Sequence, residues 1–140
     1  TMGVGFHRIK FLSFVKTEEE HRTIYKIADI LLDSYPYNGA THTLEALWFN
    51  LPVVTRTGEQ YLSRMGYSFL KTLSLSAGIA KTWEEYIEWG AKLGNDTDLR
   101  RTIQTQLVQS KQLETLSPLW NPKKFAQDMY GVFERLLNRE

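Results

Sequence analysis

The sequence predicts an α/β domain with a parallel sheet covered by helices on both faces. Three observations carry that expectation: short apolar runs recur along the chain, helical patterns separate them, and 42% of the 140 residues are hydrophobic, enough for one core. Residues 1–140 are therefore read as a single domain with no internal linker.

The elements follow in order. Arg8–Val15 is short and apolar, as expected of a buried strand. Thr17 with Glu20 three residues on has capping-box spacing and opens a helix over Glu18–Ile27. In Ala28–Asp33, the consecutive Ile30, Leu31 and Leu32 predict a second strand covered on both faces. Pro36, Asn38 and Gly39 then break both periodicities and mark a loop. A short helix over Thr43–Asn50 follows, with Leu44, Leu47 and Trp48 on one side, and Leu51–Thr55 is the third strand. A helix over Gln60–Leu73 and a short strand within Ser76–Ala80 come next. Thr82 and Glu85 repeat the capping-box spacing before a helix over Trp83–Leu93. Helices over Asp98–Glu114 and Pro122–Leu137 complete the chain.

Composition excludes several functions. With 17 basic and 16 acidic residues the net charge is +1, which argues against nucleic acid as a partner. No cysteine is present, so disulfides, thiolate metal sites and cysteine nucleophiles are excluded. The three histidines lack metal-ligand spacing, so no metal is expected. No apolar run approaches the roughly 20 residues of a membrane helix. The expected setting is cytoplasmic, with no membrane partner.

In an open parallel sheet, ligands bind beyond the carboxyl ends of the strands. The loop Asn38–Thr43 joins a strand to a helix there and is rich in small and hydroxyl residues. Gly39 and Ala40 let backbone amides approach a ligand, and Thr41 and Thr43 offer hydroxyls. The helix start favours an anion, phosphate being the commonest. The same residues also suit an ordinary strand–helix turn. Glu45, in the first helical turn, is placed either to accept both ribose hydroxyls or simply to complement the helix dipole. His42 has either a phosphate contact or a plain polar one, and His21 either faces a base ring or is solvated. Trp83, Tyr86 and Trp89 are read as packing before a stacking platform.

The stretch DSYPYNGATHTLEALW (Asp33–Trp48), followed by LPVVTRTG (Leu51–Gly58), resembles the catalytic half of the O-linked N-acetylglucosamine transferases and SPINDLY-like proteins with tetratricopeptide repeats. Their pattern runs roughly D-x-x-P-x-N-G/A-x-T-T-x-x-D/E-A-L-W-x-G-x-P-V-V/L-T. Glu18–Asp33, Gly58–Leu70 and Ser117–Leu136 are similar to flanking segments of that family, so residues 8–137 are covered. The resemblance implies the C-terminal, Rossmann-like half of a GT-B glycosyltransferase, part of a longer enzyme. It implies a UDP-sugar donor such as UDP-N-acetylglucosamine, used as substrate with no cofactor, and transfer to Ser or Thr hydroxyls of a protein acceptor.

Carried over, Ala40, Thr41 and His42 take the diphosphate positions, Glu45 the acidic ribose position, His21 the place beside uracil, and Lys16 the base-contacting backbone segment. This chain departs from the common His-Thr-Thr at Ala40-Thr41-His42 and from the common Asp at Glu45, and a small insertion shifts the register near Lys16. The family's catalytic lysine and acceptor elements lie upstream of the matching segment. Weak nucleotide binding without transfer is therefore expected of these residues alone, along with a homodimer through an exposed C-terminal helix. Two other readings stand beside this one: a non-catalytic protein-interaction module, and a GT-B transferase using another sugar nucleotide.

Overall fold

A computed structural model describes residues 3 and 5–138; Thr1, Met2, Val4, Arg139 and Glu140 lie outside the described residues. Three parallel strands, β1 (Leu31–Leu32), β2 (Val53–Arg56) and β3 (Ile79–Ala80), form a sheet in the order β1-β2-β3. Leu31 pairs with Val53 and Thr55 with Ile79. The helices are α1 (Glu18–Thr23), α2 (Thr41–Trp48), α3 (Met65–Thr72), α4 (Trp83–Asn95), α5 (Thr97–Gln109) and α6 (Pro122–Leu137). The alternation of strand and helix places α2 between β1 and β2 and α3 between β2 and β3, which is how parallel neighbours are joined. The core gathers Leu47, Val53, Val54, Leu70, Leu93 and Leu107, every one fully or almost fully buried.

The local start signals read from sequence are present. Thr17 Oγ1 accepts from the Glu20 amide at 3.2 Å, while Glu20 Oε2 accepts from the Lys16 amide at 3.1 Å. Thr82 and Glu85 repeat this arrangement at 3.2 and 2.6 Å. Asp96 and Asn121 cap α5 and α6 in the same side-chain manner.

Four expectations are corrected. Arg8–Val15 is not a strand: Phe6–Arg8 is a single 3-10 turn, and Phe11 and Phe14 stand exposed, Phe14 by 93%. A strand needs a neighbour to take its amides and a layer to cover its side chains, and this segment has neither among the described residues. The second strand is only two residues long, and Leu32 is 53% exposed, so its cover is incomplete. The first helix tightens to 3-10 geometry over Ile24–Ile27. The helix expected over Asp98–Glu114 runs instead from Thr97 to Gln109, and Leu113 beyond it is exposed.

The carboxyl end of α2 is built with care. Asn50 takes a left-handed φ of 63°, and the amides of Asn50 and Leu51 return to the Leu47 and Ala46 carbonyls, a Schellman closure. Lys111 from beyond α5 then places Nζ 3.1 Å from Leu47 O, 2.9 Å from Trp48 O and 2.6 Å from Asn50 Oδ1. A cation here also complements the helix dipole. Burial lowers the Lys111 ammonium to about 8. The folded chain thus releases this proton before the unfolded chain does, so Lys111 makes stability rise with pH from about 8 toward the ordinary lysine range. Lys111→Met should cost about 1–3 kcal/mol in urea unfolding at neutral pH and remove that alkaline rise.

Candidate functional site

The β1–α2 loop is organised by one carboxylate. Asp33, buried at the carboxyl end of β1, accepts from the Gly39 amide at 2.8 Å, from Thr55 Oγ1 at 2.8 Å and from Thr43 Oγ1 at 3.4 Å. Desolvation outweighs these bonds and holds its carboxyl above the ordinary range. Tyr86 of α4 donates to the Asp33 carbonyl at 2.8 Å. Asn38 is fully buried, with its amide on Leu62 O and its side-chain nitrogen on Ser34 O, each at 2.8 Å. A Cβ on Gly39 would meet Thr43 Oγ1 at 2.7 Å, so a larger residue in this turn would push on the Thr43 hydroxyl.

Helix α2 begins at Thr41, two residues before the expected start, with Ala40 as its N-cap and no side-chain cap. The first-turn amides of Thr41, His42 and Thr43 therefore have no intrahelical acceptor. This end of α2 is suited to an anion. Thr43, however, is completely buried and its hydroxyl turns inward to Asp33, so only its backbone N–H remains for a ligand. Thr41 and His42 are exposed.

His21, His42 and Glu45 come together around Tyr25, which the sequence did not single out. The Tyr25 hydroxyl donates to Glu45 Oε2 at 3.0 Å and lies 2.8 Å from His42 Nδ1. A hydroxyl has one proton, so His42 Nδ1 is the donor to Tyr25. His21 Nε2 stands 3.7 Å from the same Glu45 oxygen. Tyr25 stacks on Phe49 at 5.7 Å and meets the His21 ring edge-on at 5.8 Å. Burial, then Glu45, raises the Tyr25 pKa, which keeps its hydroxyl neutral and donating. Glu45 remains 23% exposed beside a cavity of about 330 Å³ that also touches Arg22, Thr41 and Leu44. No local pattern marks Tyr25, because its partners His42 and Glu45 lie 17 and 20 positions further along the chain. Lys16 does not join this cluster: its side chain is exposed and its amide is held by Glu20.

A larger cleft, about 870 Å³, opens beyond the ends of β2 and β3 and includes Tyr35, Arg56, Thr57, Arg64, Tyr67 and Lys81. The Arg56 guanidinium lies 4.0 Å from the Tyr35 ring centre and 4.6 Å from that of Trp83. Trp83 in turn meets Tyr35 and Tyr86 edge-on, so the aromatic cluster of α4 is largely packing.

Comparison with known proteins agrees with this architecture. Residues 1–129 match the family described as glycosyl transferase family 41. The chain is 29% identical over 138 residues to a probable UDP-N-acetylglucosamine–peptide N-acetylglucosaminyltransferase SPINDLY of Solanum lycopersicum, covering 99% of this chain and 14% of that protein. It is 31% identical over 137 residues to the UDP-N-acetylglucosamine–peptide N-acetylglucosaminyltransferase of Caenorhabditis elegans, covering 98% of this chain and 12% of the other. A mutant O-GlcNAc transferase of Thermobaculum terrenum superposes with a TM-score of 0.83 at 30% identity, over 95% of this chain and 25% of its own. The chain thus spans about one seventh of the length of the curated relatives it matches. Sheet, helices and likeness together define the class as GT-B glycosyltransferases. Within that class, the chain belongs to glycosyl transferase family 41.

Proposed function

We propose that this chain is the donor-binding part of a transferase that moves N-acetylglucosamine or a related sugar from a UDP-sugar to Ser or Thr hydroxyls of a protein. The observation that carries the reading is the convergence of Glu45, His42 and His21 beside the uncapped start of α2. The diphosphate sits on the free first-turn amides of Thr41 to Thr43 and on the Thr41 hydroxyl, with Gly39 and Ala40 leaving room for its approach. Glu45 accepts from the ribose, and His21 lies against the base. When doubly protonated, His42 offers Nε2–H to a phosphate oxygen. Donors fixed before the reaction stabilise the leaving diphosphate, in place of a metal ion. A protein acceptor belongs to the same reading, which the peptide-transferase names of the relatives support; catalytic groups beyond this chain and a cytoplasmic setting complete the proposal. No described helix is long and apolar enough to cross a membrane.

Calorimetric titration of UDP, with GDP as control, tests the site. UDP should bind weakly and saturably, EDTA should not alter it, and Glu45→Gln should weaken it about tenfold, the loss of a hydrogen bond to a charged acceptor. Equal affinity in wild type and Glu45→Gln would remove the ribose role. Purified chain should transfer no radiolabelled sugar by itself.

A second reading rests on α6, whose Phe125, Tyr130, Phe133 and Leu137 are exposed. It makes this face a self-association surface, and sedimentation of wild type against Phe133→Glu decides it.

A further inference from the structure

The cleft beyond β2 and β3 shares no lining residue with the cavity beside Glu45, and its chemistry is cationic. Arg56, Arg64 and Lys81 line it, against Glu59 alone among acids, with Glu84 close enough to feel Arg56. None of the three cations forms an ion pair among the described residues. Two of them are set in place. Arg56 is held between Tyr35 and Trp83, and Arg64 lies 5.0 Å from the Tyr67 ring while donating to Gly58 O at 3.1 Å. A guanidinium placed by aromatic contacts and engaged by no carboxylate keeps a planar fork of donors that matches carboxylate geometry. At the floor of the cleft, Arg56 Nε and Thr57 Oγ1 are shut off from water without a partner.

We propose that this cleft receives an acidic segment of the polypeptide acceptor. The inference rests on the transferase reading given above. The three cations come from three separate segments, the last residue of β2, the residue before α3 and the residue after β3. That spread suits several carboxylates along an extended chain better than one compact anion. Tyr35, Pro36 and Tyr67 add apolar wall for the peptide between its charges. The relatives are named as acting on peptides.

The test uses fluorescence anisotropy of a labelled serine peptide flanked by glutamates, with a lysine-flanked peptide as control. The acidic peptide should bind, the basic one should not, and binding should weaken as ionic strength rises to about 0.15 M. Arg64→Gln and Lys81→Gln should each weaken it by about threefold, and the double variant by about tenfold. Lys81 is exposed and has no side-chain bond among the described residues, so its variant isolates charge from folding. UDP titration of the same variants separates the two sites. Retained UDP affinity with lost peptide affinity supports the cleft as an acceptor surface. The same peptide pattern in a chain that fails to bind UDP supports it too and sinks the donor reading instead. Equal binding of both peptides, or full binding by the double variant, overturns the proposal. Loss of UDP together with peptide also overturns it, because the cleft would then hold the donor's phosphates.

Discussion

Asp33→Ala is expected to lower the free energy of unfolding by about 3 kcal/mol and to abolish UDP binding at the loop it anchors. The carboxylate is the common acceptor for the Gly39 amide, the Thr55 hydroxyl and, at longer range, the Thr43 hydroxyl. Thr43 and Thr55 are fully buried, so water cannot replace the lost acceptor. Removing one partner from a buried network leaves the others to bear their full desolvation cost. The functional loss has a separate cause. Gly39 sets the path of the chain into the first turn of α2, and without its bond to Asp33 the amides of Thr41 to Thr43 lose their fixed direction.

Asp33→Asn should fall between wild type and alanine, since one oxygen remains for Gly39 and the Thr55 hydroxyl can reverse its role. It also isolates a pH effect. Burial raises the Asp33 pKa in the folded chain, so its contribution is complete in acid and is lost as pH rises through that raised value. Urea midpoints measured from the ordinary carboxylate range upward should show this decline in wild type and not in Asp33→Asn. An unchanged midpoint in Asp33→Ala would mean that the loop is held by Asn38 and its neighbours alone.

What the sequence revealed of this site follows the range of the forces involved. The two capping boxes were legible because Thr17 and Glu20, or Thr82 and Glu85, satisfy one another within a single turn. The sheet was legible wherever an apolar run had a partner, as Leu51–Thr55 does on both sides. Arg8–Val15 has the same apolar character, but whether a neighbouring strand exists is a tertiary fact that periodicity does not carry. Two site residues, His42 and Glu45, lie three apart on one helix, so their approach was readable locally. Tyr25 was not, because its importance comes from meeting them across 17 and 20 residues of chain. The direction of the Thr43 hydroxyl likewise depends on a distant partner. A threonine in a first turn looks like a ligand donor until a buried aspartate elsewhere claims its hydroxyl. Arg56 also gains its meaning from Tyr35 and Trp83, each more than 20 positions away in sequence.

Gly78→Ala should be more damaging still, costing about 3–5 kcal/mol or preventing folding outright. Gly78 has a φ of 84°, a region that L side chains avoid. A Cβ built there would lie 2.1 Å from the Val53 carbonyl oxygen and 3.2 Å from its carbon. That oxygen belongs to the central strand, so it has no side-chain rotamer through which to retreat. The Gly78 carbonyl also accepts the Thr55 amide at 2.8 Å, a bond that joins β2 to β3. Moving the glycine to relieve the overlap would break that bond and displace Lys81 together with Arg56. Gly94→Ala is the matched control. Gly94 sits in α4 with nothing within 4 Å of the place an alanine methyl would take, and its φ is not positive. Alanine there should stabilise by up to about 1 kcal/mol, through helix propensity and a less free unfolded chain. Denaturant midpoints for the two variants should therefore move in opposite directions. A Gly78→Ala protein as stable as wild type would show that β3 can shift along β2 without loss, and that the cleft at their ends is softer than its geometry implies.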